Sequence, residues 1–81
     1  MIELKIWPIP FRAVLNGDKR YEVRKADREF AIGATIVLRE FLPDTEQYTG
    51  RSFTGKITYI TKSGTWGLPS DICVFGFEEI K

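Results

Sequence analysis

The sequence predicts a small, mainly β (α+β) domain of five to six mostly antiparallel strands with one short N-terminal helix. Apolar and polar residues alternate in several short segments, and glycine or proline separates most of them. A single segment has the spacing of an amphipathic helix instead. A barrel-like sheet is expected from these elements because closure removes exposed strand edges, and an open α+β sheet is the alternative.

The first strand and the helix are predicted at the N-terminus. Residues 1–6 alternate as in a half-buried strand, which Trp7-Pro8 ends. Pro10 suits the first turn of a helix, where its missing N–H is not needed. A short apolar stripe follows, made of Phe11, Val14 and Leu15. Asn16-Gly17 is a suitable helix exit because glycine adopts the left-handed conformation easily, and so short a helix must pack on the sheet.

The rest of the chain is predicted to form further strands joined by turns. The strands are expected over residues 19–24, 35–41, 51–61 and 71–80. Residues 27–32 are predicted to form a tight turn or one helical turn, closed by Gly33. Gly55 suggests a bulge or bend of the kind found at barrel corners. Residues 62–70 are predicted to form a loop that carries Trp66.

Alternation also assigns side chains to the two faces of these strands. In the second strand, Tyr21 and Val23 are predicted to share one face. The opposite face is assigned Arg20, Glu22 and Arg24. In the long strand, one face is assigned Phe53, Ile57 and Tyr59.

Length and charge limit the possible functions. The 81 residues support a single domain, residues 1–81, and 43% hydrophobic residues are typical of a folded chain. The net charge of +1 argues against nonspecific coating of a polyanion. A local basic patch remains possible, since five cations cluster between Lys19 and Arg28.

Two absences limit the chemistry further. The sequence has no histidine, which excludes Ser-His-Asp and Cys-His catalysis and histidine-based metal sites. The single cysteine, Cys73, lies in an apolar run and is predicted to be a small buried residue in a reduced, cytoplasmic protein. No metal or cofactor is expected. No signal peptide or membrane span is expected either, because Glu3 and Lys5 interrupt the first apolar stretch.

The most distinctive segment is the octet from Gly17 to Arg24, of the form G-x-K-x-x-E-x-R. An arginine can hold a phosphate through two parallel hydrogen bonds, and a lysine can do so as a point charge. A carboxylate can accept from an exocyclic amine or a ribose hydroxyl. The octet therefore predicts a nucleotide site in which Lys19 and Arg24 contact phosphate and Glu22 contacts a base edge or sugar. An exposed charge ladder, worth at most about 1 kcal/mol per pair, is the structural alternative.

Other side chains are candidates for the same nucleic-acid-binding cleft. The cations are Lys5, Arg28 and Arg39, of which Lys5 and Arg39 could instead be simply exposed strand residues. The aromatic candidates for stacking an unpaired base are Trp7, Tyr48 and Trp66. Trp66 is favoured because it lies in a glycine-rich loop, whereas Phe11 is expected in the core.

The sequence resembles a small phage and bacterial group of unknown function within the ASCH superfamily, and the resemblance covers nearly the whole chain. It is carried by the octet and by Leu4-Lys5-Ile6, Arg24-Lys25, Asp27-Arg28, Leu38-Arg39-Glu40 and Tyr48-Thr49-Gly50-Arg51. It implies a PUA-like barrel in which the octet lines a cleft between helix and barrel. The implied partner is RNA or a nucleotide, and an RNA-binding module is the leading hypothesis.

Two other functions remain open. Some ASCH proteins resemble amidohydrolases acting on N4-acetylcytidine, in which the motif lysine works with a threonine and a distant glutamate. Lys19 matches that lysine, but Glu22 stands in place of the threonine, so a lysine–carboxylate pair would have to activate water. The third possibility is a protein-interaction module with an exposed apolar patch, for example around Trp66 and Phe75–Phe77.

Overall fold

Five strands and one helix make up residues 1–80, which are the residues that the computed structural model describes. The strands are β1 (Ile2–Ile6), β2 (Tyr21–Lys25), β3 (Thr35–Leu42), β4 (Gln47–Thr61) and β5 (Ile72–Glu79). The helix is α1 (Pro8–Leu15). The predicted mainly β class with a single short N-terminal helix is confirmed. Within residues 1–80, no helix is both long enough and apolar enough to cross a membrane.

The strands form one curled sheet, a half-barrel, in the order β1-β3-β4-β5-β2. β1 and β3 are parallel, and the other three pairs are antiparallel, as the prediction of a mostly antiparallel sheet required. The outer strands, β1 and β2, approach each other through side chains. Arg24 donates a hydrogen bond of 2.6 Å to the carbonyl of Lys5, and Arg28 donates one of 3.2 Å to the carbonyl of Glu3. We call this junction the seam; its side chains cover an edge that would otherwise be open to another strand.

The core lies on the concave side of the sheet, beneath α1. Its largest fully buried side chains are Phe11, Ile36, Leu38, Ile57 and Phe75. α1 begins at Pro8, two residues before the proline expected in its first turn, and Trp7 is the N-cap residue. The helix buries Phe11 and Val14, whereas Leu15 is 44% exposed and extends the predicted stripe only to the rim of the core.

Gly55 does not form the predicted bulge. It pairs in regular register with Ile36 on one side and Glu79 on the other. The absence of a side chain is explained by crowding, because a Cβ there would lie 3.0 Å from the carbonyl oxygen of Glu78. The glycine therefore permits close packing between β4 and β5 instead of bending the strand.

The register of β4 against β5 shifts between Ile57 and Tyr59. An extra residue at such a point reverses the side-chain alternation that follows it. Tyr59, predicted to share the face of Phe53, is consequently 66% exposed, and Ile60 packs against the core in its place.

The segment between β2 and β3 contains no helical turn. Ala34 donates a hydrogen bond to the carbonyl of Ala31 at 3.0 Å, which closes a tight turn instead. Gly33 has φ +91°, and its N–H donates to the carbonyl of Ile57 at 2.8 Å. This bond ties the turn to the middle of β4 and fixes where β3 begins.

Candidate functional site

A glycine turn at the end of α1 positions the charged octet. Gly17 has φ +81°, the left-handed conformation predicted for it, and its N–H donates to the carbonyl of Val14 at 3.1 Å. The N–H groups of Asp18 and Lys19 both reach the carbonyl of Ala13, at 3.0 and 3.1 Å. β2 then begins at Tyr21, so Lys19 belongs to the turn that leads into the strand and not to the strand itself.

Glu22 is a buried carboxylate at the centre of the octet, with a side chain only 5% exposed. Its Oε1 contacts the ammonium of Lys19, and its Oε2 accepts a hydrogen bond from Nε of Arg24 at 2.7 Å and lies 2.7 Å from Nη2. Lys19 also donates to the carbonyl of Tyr21 at 2.6 Å. The three charged heads thus converge, as expected of the octet. We call them the charge network.

The charge network points into the molecule. Tyr21 and Val23, on the opposite face of β2, are 50% and 55% exposed, so the octet is not an exposed charge ladder. A buried carboxylate is tolerated when it is paired and hydrogen-bonded, and two cations supply both here. Both oxygens of Glu22 are engaged by Lys19 and Arg24, so the carboxylate holds these two cations in place, and its contact with a base or sugar stays a prediction.

Arg24 extends from the charge network to a pocket of about 340 Å³ at the seam, which we call the seam pocket. Its lining residues are Glu3, Leu4, Lys5, Arg24, Arg28, Arg39 and Tyr48. Four cations from β1, β2, β3 and the segment after β2 therefore face one carboxylate. Every one of these cations was a candidate from the sequence, and the structure brings them together.

Local contacts restrain the cations of the seam pocket. Nη1 of Arg39 lies 3.4 Å from Oε1 of Glu3, and the guanidinium carbon lies 4.1 Å from the centre of the Tyr48 ring. The ammonium of Lys5 lies 4.5 Å from the centre of the Phe41 ring. These contacts reduce the conformational freedom that the side chains would lose on binding an anion.

Arg28 connects the seam pocket with two neighbouring depressions. One, of about 180 Å³, is shared with Arg24 and Lys25, and the other, of about 270 Å³, is shared with Lys62. Acidic residues line these depressions as well, namely Asp27 and Glu29. The basic surface is therefore continuous through Arg28 and is strongest in the seam pocket.

The predicted single cleft is divided in two. Gly17 and Lys19 line a separate groove of about 190 Å³ between α1 and the sheet, together with Phe53, Glu78 and Glu79. Glu22 is buried between this groove and the seam pocket, and it contacts a cation of each. The octet thus connects two sites instead of lining one.

Neither tryptophan lines the seam pocket. Trp7 is 60% exposed and borders an apolar depression with the prolines of α1 and with Leu42. Trp66 is 92% exposed at the tip of its loop, with φ +53°. The apolar patch suggested around Phe75–Phe77 is absent, because both phenylalanines are buried in the core.

Tyr48 is the aromatic side chain that the seam pocket contains, whereas Trp66 was the aromatic residue favoured from the sequence. The strand predicted from the sequence begins only at residue 51, which leaves Tyr48 outside it. In the structure β4 begins at Gln47, and Tyr48 pairs with Phe41 of β3. The signal available in the sequence was the aromatic residue at each end of the β3–β4 turn.

The second buried carboxylate of the described residues is Glu40. It is 7% exposed, accepts from Oγ1 of Thr49 at 2.8 Å and lies 3.8 Å from Nε of Arg51. Cys73 is buried as predicted, and burial together with the charge of Asp27 raises the pKa of its thiol. In residues 1–80, Cys, Asp and Glu side chains form no cluster of three that could hold a metal ion.

Comparison with known proteins places the chain in a family. It belongs to the family described as Domain of unknown function (DUF3850), which matches residues 1–77. It is also similar to a curated protein of Escherichia phage P2, "Uncharacterized 12.9 kDa protein in GpA 3'region", with 38% identity over 64 residues. The match covers 79% of this chain and 57% of the phage protein, so the chain spans little more than half of that relative's length.

Proposed function

We propose that this member of the DUF3850 family is an RNA-binding module of the ASCH type. It holds a short RNA segment or a nucleotide by its phosphate groups in the seam pocket. The observation that carries the proposal is the convergence of Lys5, Arg24, Arg28 and Arg39 on one pocket with a single carboxylate, Glu3. The choice of RNA among phosphate-bearing ligands is supported by the resemblance of residues 17–24 to the ASCH signature.

Phosphate recognition needs donors that are held in place and still have N–H groups to offer. Arg28 and Arg39 are each held through Nη1, by Glu3 in both cases, and a guanidinium has five N–H donors in total. Arg24 is held by Glu22 and by the carbonyl of Lys5. A phosphate in the pocket would receive charge-assisted hydrogen bonds from side chains that lose little freedom on binding.

Arg28 is the best residue for testing this proposal. Its side chain is 49% exposed and lies outside the charge network, so its removal costs one hydrogen bond of the seam and leaves the buried network complete. We expect Arg28→Ala to weaken binding of a short, fluorescently labelled single-stranded RNA in an anisotropy titration. The slope of log K against log salt is negative, and loss of one phosphate contact should reduce its magnitude by about 0.7.

Arg12→Ala is the matched control, because Arg12 is an exposed arginine of α1 outside the seam pocket. The RNA affinity of Arg12→Ala and the salt dependence of its binding should equal those of the wild-type chain. The proposal is wrong if the wild-type chain binds no RNA at low salt. It is equally wrong if the two arginine variants lose affinity to the same extent.

A second candidate function is hydrolysis of an N-acylated nucleoside such as N4-acetylcytidine, and the direct contact between Lys19 and Glu22 favours it. A carboxylate beside an ammonium is a possible device for activating water. Arg24 already occupies the second oxygen of Glu22, which leaves the carboxylate less free to accept a proton from water. Acetate release that Lys19→Ala abolishes would support this function, and no release by the wild-type chain would exclude it.

A further inference from the structure

We infer that the RNA held in the seam pocket is single-stranded, and that one unpaired base stacks on the Arg39–Tyr48 pair at the pocket's rim. This inference rests on the proposed RNA-binding function and specifies which form of RNA the site accepts. It depends on an array of cations and aromatic rings that spans three strands.

The array consists of Lys5, Arg39, Phe41 and Tyr48, and strand pairing brings them together. Lys5 is opposite Arg39 across β1 and β3, and Phe41 is opposite Tyr48 across β3 and β4. The rings of Phe41 and Tyr48 are 5.1 Å apart with an interplanar angle of 67°, an edge-to-face contact. Each cation lies over one ring, Lys5 over Phe41 and Arg39 over Tyr48.

The array lies on the outer face of the sheet, where it is accessible. Leu38 and Glu40, which alternate with Arg39 and Phe41 along β3, are buried on the opposite face. The side chain of Arg39 is 43% exposed, and Tyr48 is 42% exposed. A planar ligand can therefore reach the guanidinium and the ring from solvent.

A nucleobase suits this surface because its π faces stack on both aromatic rings and guanidinium planes. The seam pocket begins at the same two residues and continues to Arg24 and Arg28. A base on Arg39 and Tyr48 would thus place its phosphate among the remaining cations. At about 340 Å³ the pocket is near the lower end of small-ligand sites, which suits one nucleotide and not a duplex, whose bases are already stacked.

The inference is tested with three probes in the same anisotropy titration: a single-stranded oligouridylate, an oligonucleotide of equal length with abasic riboses, and a blunt RNA duplex. The wild-type chain should bind the oligouridylate more tightly than either of the other two. Tyr48→Leu should weaken oligouridylate binding about tenfold, leaving the abasic probe and the salt slope unchanged. Tyr48→Phe, which keeps the ring, should bind as the wild-type chain does.

Two further variants separate stacking from charge and from general loss of a tyrosine. Arg39→Lys keeps the charge and removes the planar group, so it should weaken oligouridylate binding more than it weakens abasic binding. Tyr59→Leu removes another exposed tyrosine of β4 outside the pocket and should have no effect. Thermal unfolding of each variant checks that the sheet is retained.

The outcomes distinguish the inference from the function on which it rests. Failure of the wild-type chain to bind any of the three probes would overturn the proposed function itself. Equal binding of the abasic and uridylate probes, with no effect of Tyr48→Leu, would leave phosphate binding intact and overturn base stacking. Tighter binding of the duplex would also overturn the inference.

Discussion

Replacement of Arg24 by methionine should destabilise the protein strongly, because it leaves a buried carboxylate with one partner. Arg24 makes two contacts of 2.7 Å with Glu22 and one of 2.6 Å with the carbonyl of Lys5. Removing one partner of a buried ion pair costs about 3–5 kcal/mol. Lys19 still neutralises Glu22 in the variant, and the side chain of Arg24 is 23% exposed, so we expect a loss of about 2–4 kcal/mol.

This loss is large for a chain of this size. With 81 residues, the free energy of unfolding is expected to be about 4–12 kcal/mol. Urea denaturation followed by tryptophan fluorescence and by circular dichroism measures the change through the shift of the midpoint. The slope of free energy against urea should stay constant, provided that the folded state keeps its compactness.

A second variant separates the charge from the packing. In Arg24→Met combined with Glu22→Gln, the buried charge is removed together with its partner, so part of the lost stability should return. The double variant should therefore be more stable than Arg24→Met alone. If the double variant instead loses as much free energy of unfolding as the two single variants together, an under-compensated buried carboxylate is not the cause of the instability.

Three further predictions concern the backbone and the cysteine. Gly17→Ala should cost about 1–2 kcal/mol in urea denaturation, because φ is +81° and an L-residue is strained there, and an unchanged midpoint would contradict this. Trp66→Asn should raise the melting temperature by a few degrees, a gain of about 1 kcal/mol. Asparagine tolerates φ +53° better than tryptophan, and little buried surface is lost because Trp66 is 92% exposed. A lower melting temperature would refute this prediction. Burial raises the pKa of the Cys73 thiol above its ordinary value of 9.0, so the folded state favours the neutral thiol. The stability that this shift contributes is present below pH 9 and is lost as the pH rises through the raised pKa. Cys73→Ala should therefore lose less stability than the wild-type chain in this pH range, and an equal loss in both would contradict the prediction.

The second strand shows how far the sequence predicts the site. Alternation correctly separated Tyr21 and Val23 from Glu22 and Arg24, because strand geometry places successive side chains on opposite faces. It could not tell which face is buried. Hydrophobicity alone would put the tyrosine and valine inside, yet Glu22 is buried because Lys19 and Arg24 lie close enough to compensate its charge. Such compensation depends on side-chain positions that spacing does not specify.

The seam pocket was even harder to predict from the sequence than the charge network. Its cations could be named individually, but Lys5 and Arg39 meet Arg24 and Arg28 only because β1 pairs with β3 and the sheet curls until β1 approaches β2. Strand order is a property of the whole chain. Local irregularity has a similar effect in β4, where the register shift before Tyr59 exposes a residue that simple alternation places with the core.

The seam joins the stability of the fold to the proposed site. Arg24 and Arg28 hold the edge of β1 through its carbonyl groups, and the same guanidinium groups line the seam pocket. Lysine at either position would keep the charge but could not bond a carbonyl and a phosphate through one planar group. The same side chains of this domain thus have both a structural role and a proposed binding role. Glu22 serves both the fold and the proposed site through one contact, because the carboxylate that holds Arg24 at the seam also holds it beside the pocket.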